Sequence, residues 1–462
     1  MIKSINRITF INILSSLVLQ GIAFFTTPVF TNLLGTEQYG IFSVYNAWIG
    51  IVTCIMGLGV TSALGTGRYT FKETYYEYRS STLLLSTLLS IGIVGICLLF
   101  SNHLSKVIKI KQNLIPVLLA TSFAQSIVTY IQSTYIYEKK AISNLVLSVC
   151  LSCSTVILSV LLIQKAEKDA LYIGRIYGLA IPYVTIAVFL WFRCFLKKPI
   201  GIKSNYVKFG LTVGFPVVFH ALSHTILNQS DRVMMQWMGI SNSEIGIYSL
   251  FYTMSSILSV ILTALNTSWC PFYYDGISEN DWDGLASKSK HYIETFTSLT
   301  VGFLLVGKEI SEIMSSNDFS TGVDILPILT VSVYFTFMYQ FPTNYEFYHK
   351  KTKIIAFGTV SSGALNVLLN YFFIPVYGMY GAAIATAISY LMLYFLHYIV
   401  VMKMTNNKYH LPITKFATGL IAVVFGTVVF YFFKDFWQVR WIFGITIGTW
   451  ELYRMIKRKG VF

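Results

Sequence analysis

The chain has 462 residues, 55% of them hydrophobic and only 12% charged, with a mean hydropathy of +0.63. That composition excludes an ordinary water-soluble globule and points to a polytopic membrane protein. The net charge of +14 does not mark a nucleic-acid binder, because Lys and Arg gather in alternate loops rather than along one helical face. An apolar segment needs roughly 20 residues to span hydrocarbon, and about fourteen such segments follow one another. They are centred near Ala23, Ile51, Ser90, Gln125, Thr155, Val184, Leu222, Leu258, Leu299, Val333, Gly363, Ile388, Ala422 and Ile445. The first run is long and is followed at once by another, so no cleavable signal peptide is expected.

The chain repeats itself. Leu34-Gly35 and Gly40-Ile41-Phe42-Ser43 return, loosened, as Met238-Gly239 and Gly246-Ile247-Tyr248-Ser249, and Tyr137-Glu138-Lys139-Lys140 is echoed by Tyr348-His349-Lys350-Lys351. The offset is about 210 residues in the same order, which predicts a duplicated unit of six spans. The expected fold is an all-α integral membrane protein with two six-helix bundles as parallel repeats plus two C-terminal helices. The expected domains are 1–200, 201–405 and 406–462, the last two spans ending in a basic tail. An even number of spans per repeat relates the halves by an axis along the membrane normal rather than by inversion.

Basic residues set the orientation. With both termini cytoplasmic, Lys3, Arg7, Arg68, Arg79, Lys139, Lys140, the Arg193–Lys208 run, Lys350, Lys351, Lys403 and the Arg454–Lys459 tail fall inside. The loop carrying Lys106, Lys109 and Lys111 violates the pattern. The six cysteines lie in or beside spans, so no disulfide framework is expected, and Cys150-x-x-Cys153 has no second ligand pair.

Polar side chains inside hydrocarbon normally turn toward a bundle interior or a wet cavity. Segment 7 places His220, His224, Asn228 and Asp231 at steps of four, four and three, one face of a helix, with Arg232 beside them. Segment 1 offers Gln20, segment 4 Gln125 and Gln132, segment 8 Asn266 and segment 10 Gln340; segments 13 and 14 are nearly featureless by comparison. Such residues either line a lumen shared between the repeats or cement helix contacts. Arg232 and Arg68 are candidate phosphate contacts and Asp231 a candidate proton or cation site; an interhelical gate and a snorkelling anchor are the alternatives. His220 and His224 could titrate near neutrality.

Gly302 to Glu309 mimics a phosphate-binding loop, but the Mg-binding hydroxyl is replaced by Glu309 and the interior reads as a spanning helix. No nucleotide hydrolysis follows. The longest loop, Pro271 to Lys290, carries no evident triad, so an enzyme is not expected.

The chain resembles the polysaccharide or O-antigen flippases, the polysaccharide transporter type of the multidrug/oligosaccharidyl-lipid/polysaccharide exporter superfamily. The resemblance rests on Leu34-Gly35 with Tyr39-Gly40-Ile41, Asp231-Arg232 followed by Gly246-Ile247-Tyr248-Ser249, Asn266 with Trp269 and Pro271-Phe272, and Asn366 with Asn370, Pro375 and Tyr377-Gly378. It implies a plasma-membrane flippase, without cofactor, that carries an undecaprenyl-pyrophosphate-linked oligosaccharide of capsule, O-antigen or exopolysaccharide to the outer leaflet. Membrane lipid and a polysaccharide polymerase are the implied partners, and nucleic acid is not one. Segment 1 lacks the arginine of the related lipid II flippases. The runner-up is a cation-coupled multidrug antiporter of the same superfamily, whose usual carboxylate in the first helix is also missing.

Overall fold

The computed structural model describes the backbone of residues 2–195, 201–409, 411, 413–458 and 460, and side chains within them from residue 21 onward except Ala23 and Lys415. These residues form helices and turns and no strand, as hydrocarbon demands, because a helix satisfies its backbone polar groups within its own segment. Nine helices among them are long and apolar enough to cross a membrane. The chain divides into two compact units, Met1–Gly246 and Ile247–Phe462.

In the first unit α1 runs Ile2–Ile55, broken at Gly35, where φ is 65° and ψ 179°. Such a conformation costs a residue with a Cβ far more than it costs glycine. A 3₁₀ stretch, Met56–Ala63, follows and passes through left-handed Gly57, Leu58 and Gly59 before α2, Leu64–Thr70. Then come α3 (Tyr75–Leu99), the short α4 (Ser101–Ile108), α5 (Ile115–Tyr137), α6 (Ala141–Lys165), α7 (Leu171–Phe195) and α8 (Ser204–Trp237). The stretch around Gly59 packs backbone to backbone on Gly214 of α8, leaving no room for a Cβ on either. Non-helical backbone at membrane depth persists where protein or a wet cavity, rather than lipid, surrounds it.

The second unit contains most of α9 (Asn242–Glu279), then α10 (Trp282–Met314), α11 (Leu326–Tyr348), α12 (Thr352–Met404), α13 (Thr414–Phe432) and α14 (Trp437–Arg458). The 53 residues of α12 would stretch about 80 Å at 1.5 Å each, well beyond the roughly 30 Å hydrocarbon core. Gly378, at φ 55° and ψ −131°, breaks it. The core is aromatic: Trp269, Tyr292, Phe296, Phe337, Phe341 and Phe416 meet at ring-centroid distances from 4.4 to 6.1 Å. Each well-oriented pair adds about 0.5–1.5 kcal/mol beyond area burial.

The sequence echoes have local structural counterparts. Helices α5 and α11 each follow a 3₁₀ turn, carry proline in the first turn and end at the tyrosine of the echo. After each, a lysine adopts the left-handed conformation, Lys139 and Lys350 both at φ 59°. The next lysine returns its N–H to the helix, Lys140 to the Tyr135 carbonyl at 2.8 Å and Lys351 to the Glu346 carbonyl at 2.9 Å. This is the doubly bonded helix stop that usually employs glycine.

Two expectations need correction. Pro271–Lys290 is not a loop: α9 continues to Glu279, Asn280 turns at φ 58°, and Asp281 caps α10 by accepting from the Gly284 amide at 3.0 Å. Charge in that stretch marks departure from apolar surroundings, which does not end a helix. Nor is segment 14 featureless. Its buried side carries Arg440, which bonds Glu309 bidentately and the Leu305 carbonyl at 2.7 Å, and Arg454, Arg458 and Glu451, which meet Glu294 and Thr295 of α10. The exposed side of α14 is apolar, with Trp441, Ile442, Ile445 and Leu452. The phosphate-loop mimic is therefore one side of a helix clamp, Lys308 reaching Asp435 at 2.7 Å.

Candidate functional site

In the first unit His220, His224, Asn228 and Asp231 all lie on α8. His220 is half-buried, its Nδ1 enclosed without a bonding partner, and His224 is exposed. Asn228 donates to the His224 carbonyl at 2.7 Å and lies 3.2 Å from its Nδ1. Farther along, Asp231 is fully buried and Arg232 nearly so. Arg232 folds back along its own helix, donating at 3.1 Å to the Asn228 carbonyl and to Gln229 Oε1. Thr225, on a neighbouring face of α8, holds Cys54 of α1 at 3.0 Å.

Arg68 stands on α2, its guanidinium 5.4 Å over the Tyr75 ring, half-buried. The break at Gly57 to Gly59 precedes it, so irregular backbone and a cation occur within one short stretch. Gln125 accepts from Thr53 at 3.4 Å, whereas Gln132 donates to Ser148 at 3.2 Å and ties α5 to α6. The Gln20 side chain lies outside the described residues. Lys109, the positional violation, caps the C-terminal end of α8 by donating at 3.2 Å to the Gln236 and Trp237 carbonyls. A cation at a helix C-terminus complements the helix dipole.

In the second unit Asn266 accepts from Asn344 at 2.8 Å, and Gln340 is half-buried with its Oε1 lacking a partner. Two ionisable residues that the sequence reading did not single out lie beside them in sequence or space. Glu346 on α11 and His397 on α12 are both 0% exposed and joined at 2.7 Å between Oε2 and Nδ1. The available signal was an ionisable side chain inside an apolar run, which is a functional-site hypothesis by default.

Residues 6–275, more than half of the chain, match the polysaccharide biosynthesis protein family. The chain belongs to that family. The chain is 25% identical over 394 residues to an uncharacterized membrane protein of Haemophilus influenzae, the match covering 80% of this chain and 93% of that one. Its fold is similar to that of the lipid II flippase MurJ in an inward closed conformation, with a TM-score of 0.76 and 16% identity over 96% of this chain and 98% of that chain. An inward-facing multidrug resistance transporter of the MATE family in the MOP superfamily also matches, with a TM-score of 0.67 and 16% identity over 85% and 96%. The two fold neighbours are a lipid II flippase and a multidrug resistance transporter. At these identities the structural likeness establishes the fold alone.

Proposed function

We propose that this protein is a flippase that carries an undecaprenyl-pyrophosphate-linked oligosaccharide, a repeat unit of capsule, O-antigen or exopolysaccharide, from the cytoplasmic to the outer leaflet by alternating access. The observation that carries the reading is family membership in polysaccharide biosynthesis on a chain whose fold matches a lipid II flippase over nearly its whole length. Fourteen spans follow if the breaks at Gly35 and Gly378 each separate two crossings and if α10, α13 and α14 also span. In this reading both termini face the cytoplasm of a cell whose plasma membrane holds the protein.

A pyrophosphate needs cations, and Arg68 and Arg232 are the proposed contacts, since a guanidinium binds phosphate oxygens bidentately. Arg232 would have to exchange its bonds to Asn228 and Gln229 for the substrate. The sugar would meet Gln20, Gln125, Gln132, His220, His224, Asn228, Asn266 and Gln340, and Asp231 would serve as a cation or proton site. The apolar outward faces of α13 and α14 would accept the lipid tail, and a polymerase would receive the product.

Deletion in the native host tests the function: lipid-linked oligosaccharide should accumulate on the cytoplasmic side. Purified protein in vesicles should flip that lipid without ATP. Absence of accumulation, or an absolute need for ATP, overturns the reading. A cation-coupled multidrug antiporter is the second reading, favoured by the likeness to MATE-family structures. Export of cationic dyes with no effect on lipid-linked sugar would establish it instead.

A further inference from the structure

Glu346 and His397 form a buried pair within the second unit. Glu346 lies near the end of α11, and His397 lies seven residues before the end of α12. Neither side chain is exposed, and each retains one polar atom without a hydrogen-bond partner, Glu346 Oε1 and His397 Nε2. The enclosure is tight. A Cβ on Gly358, in the first half of α12, would come within 2.5 Å of Nε2, and the Tyr339 ring stands 6.3 Å from the imidazole.

Among the described residues His397 is the only basic side chain within ion-pair distance of Glu346. On α11 the neighbours are Tyr339 and Tyr345, then His349, Lys350 and Lys351 beyond its end. The other titratable groups on α12 include Lys353 at its start, Tyr390, Tyr394 and Tyr398, and Lys403 near its end. Tyr409 follows, a buried phenol held at 3.3 Å from the Tyr273 hydroxyl of α9. Helices α10 and α13 turn aromatic groups toward α11, Tyr292 and Phe416 on Phe341.

Such a pair holds one shared proton at zero net charge, whether it sits on the carboxyl oxygen or the ring nitrogen. Taking that proton away leaves a buried carboxylate beside neutral imidazole, and adding a second leaves a buried imidazolium beside a neutral acid. Either leaves an uncompensated ion in a buried setting, which is strongly unfavourable. The proton therefore exchanges with water only when α11 and α12 part, so its occupancy and their packing are coupled.

We propose that Glu346 and His397 form a proton-binding site that loads and unloads as the second bundle opens and closes. This deepens the flippase reading and rests on it for direction. The site lies toward the bundle end that carries Lys350, the cytoplasmic end in the proposed topology. A proton taken up from the outer side as substrate leaves would be released there as the next substrate loads from the cytoplasm. No bond other than the N–H or O–H to this proton is made or broken.

A vesicle experiment with an imposed pH gradient tests it, using undecaprenyl-pyrophosphate-linked oligosaccharide from the host. With one proton exchanged per lipid, each unit of gradient should shift the leaflet distribution about tenfold. Glu346→Gln keeps a hydrogen-bonding group of the same shape but cannot carry the proton, so it should still flip and lose the response. A merely structural clamp predicts the reverse: Glu346→Gln would keep the tenfold response, and that result overturns the proposal. Infrared spectra give an answer independent of transport. A buried carboxyl band that changes with pH in the wild type and shifts in His397→Gln supports the site, and a wild-type spectrum unchanged by pH overturns it. If wild-type vesicles flip nothing, the flippase reading falls while the infrared result still decides whether the pair binds a proton.

Discussion

Gly40 and Gly246 face each other within the first unit, so closely that a Cβ on Gly40 would overlap the Asn242 carbonyl and one on Gly246 would overlap the carbonyl of Thr36. These are the equivalent glycines of the repeated Gly-Ile-aromatic-Ser sequence. Backbone meets backbone there, and backbone cannot move aside as a flexible side chain can.

Gly40→Ala should therefore disfavour this arrangement of α1 against the start of α9. Cys54, held by Thr225 deeper along α1, reports the change. In a protein whose other five cysteines are replaced, a water-soluble maleimide should modify Cys54 several-fold faster in Gly40→Ala than with glycine present. Equal rates would show that the contact is not needed to keep the region closed.

Arg440 is 1% exposed and held by Glu309, while Lys308 and Asp435 lie nearer the surface. Removing one member of a buried pair leaves the other charge uncompensated. Glu309→Ala should cost on the order of 2–3 kcal/mol, below the full range for buried pairs because Glu309 keeps some solvent contact. Lys308→Ala should cost less than about 1 kcal/mol, as exposed pairs do. Thermal unfolding in one detergent separates them, and equal shifts would contradict this ranking.

Arg232 distinguishes substrate binding from gating. As a pyrophosphate contact, Arg232→Ala should abolish flipping in protein that still inserts, and Arg232→Lys should restore part of it because the charge survives without the bidentate fork. As a gate, Arg232→Gln should serve about as well as lysine. Full activity in Arg232→Ala would remove the residue from the mechanism and leave Arg68 as the phosphate contact.

Topology is open to direct measurement. Single cysteines at Glu37 and Asn242 should be labelled from outside intact cells, and those at Glu138 and Lys350 should be protected until the membrane is opened. The opposite pattern would invert the assignment and place the release side of the Glu346–His397 site outside.

The sequence by itself determined the membrane class, the all-helical architecture and the echo of Tyr137 to Lys140 in Tyr348 to Lys351. Composition, helical spacing and local hydrogen bonding set these, and all act over a few residues. It did not show that Pro271 to Lys290 stays helical, because loss of hydrophobicity and loss of helix are different events. Only the tertiary structure decided that Arg232 turns back on its own helix, that Arg440 finds Glu309 across 131 positions, and that Glu346 meets His397 across 51. Those partners lie on separate turns or separate helices, and a charge buried in a bundle is neutralised by whatever the packing brings beside it, which no local pattern along the chain records.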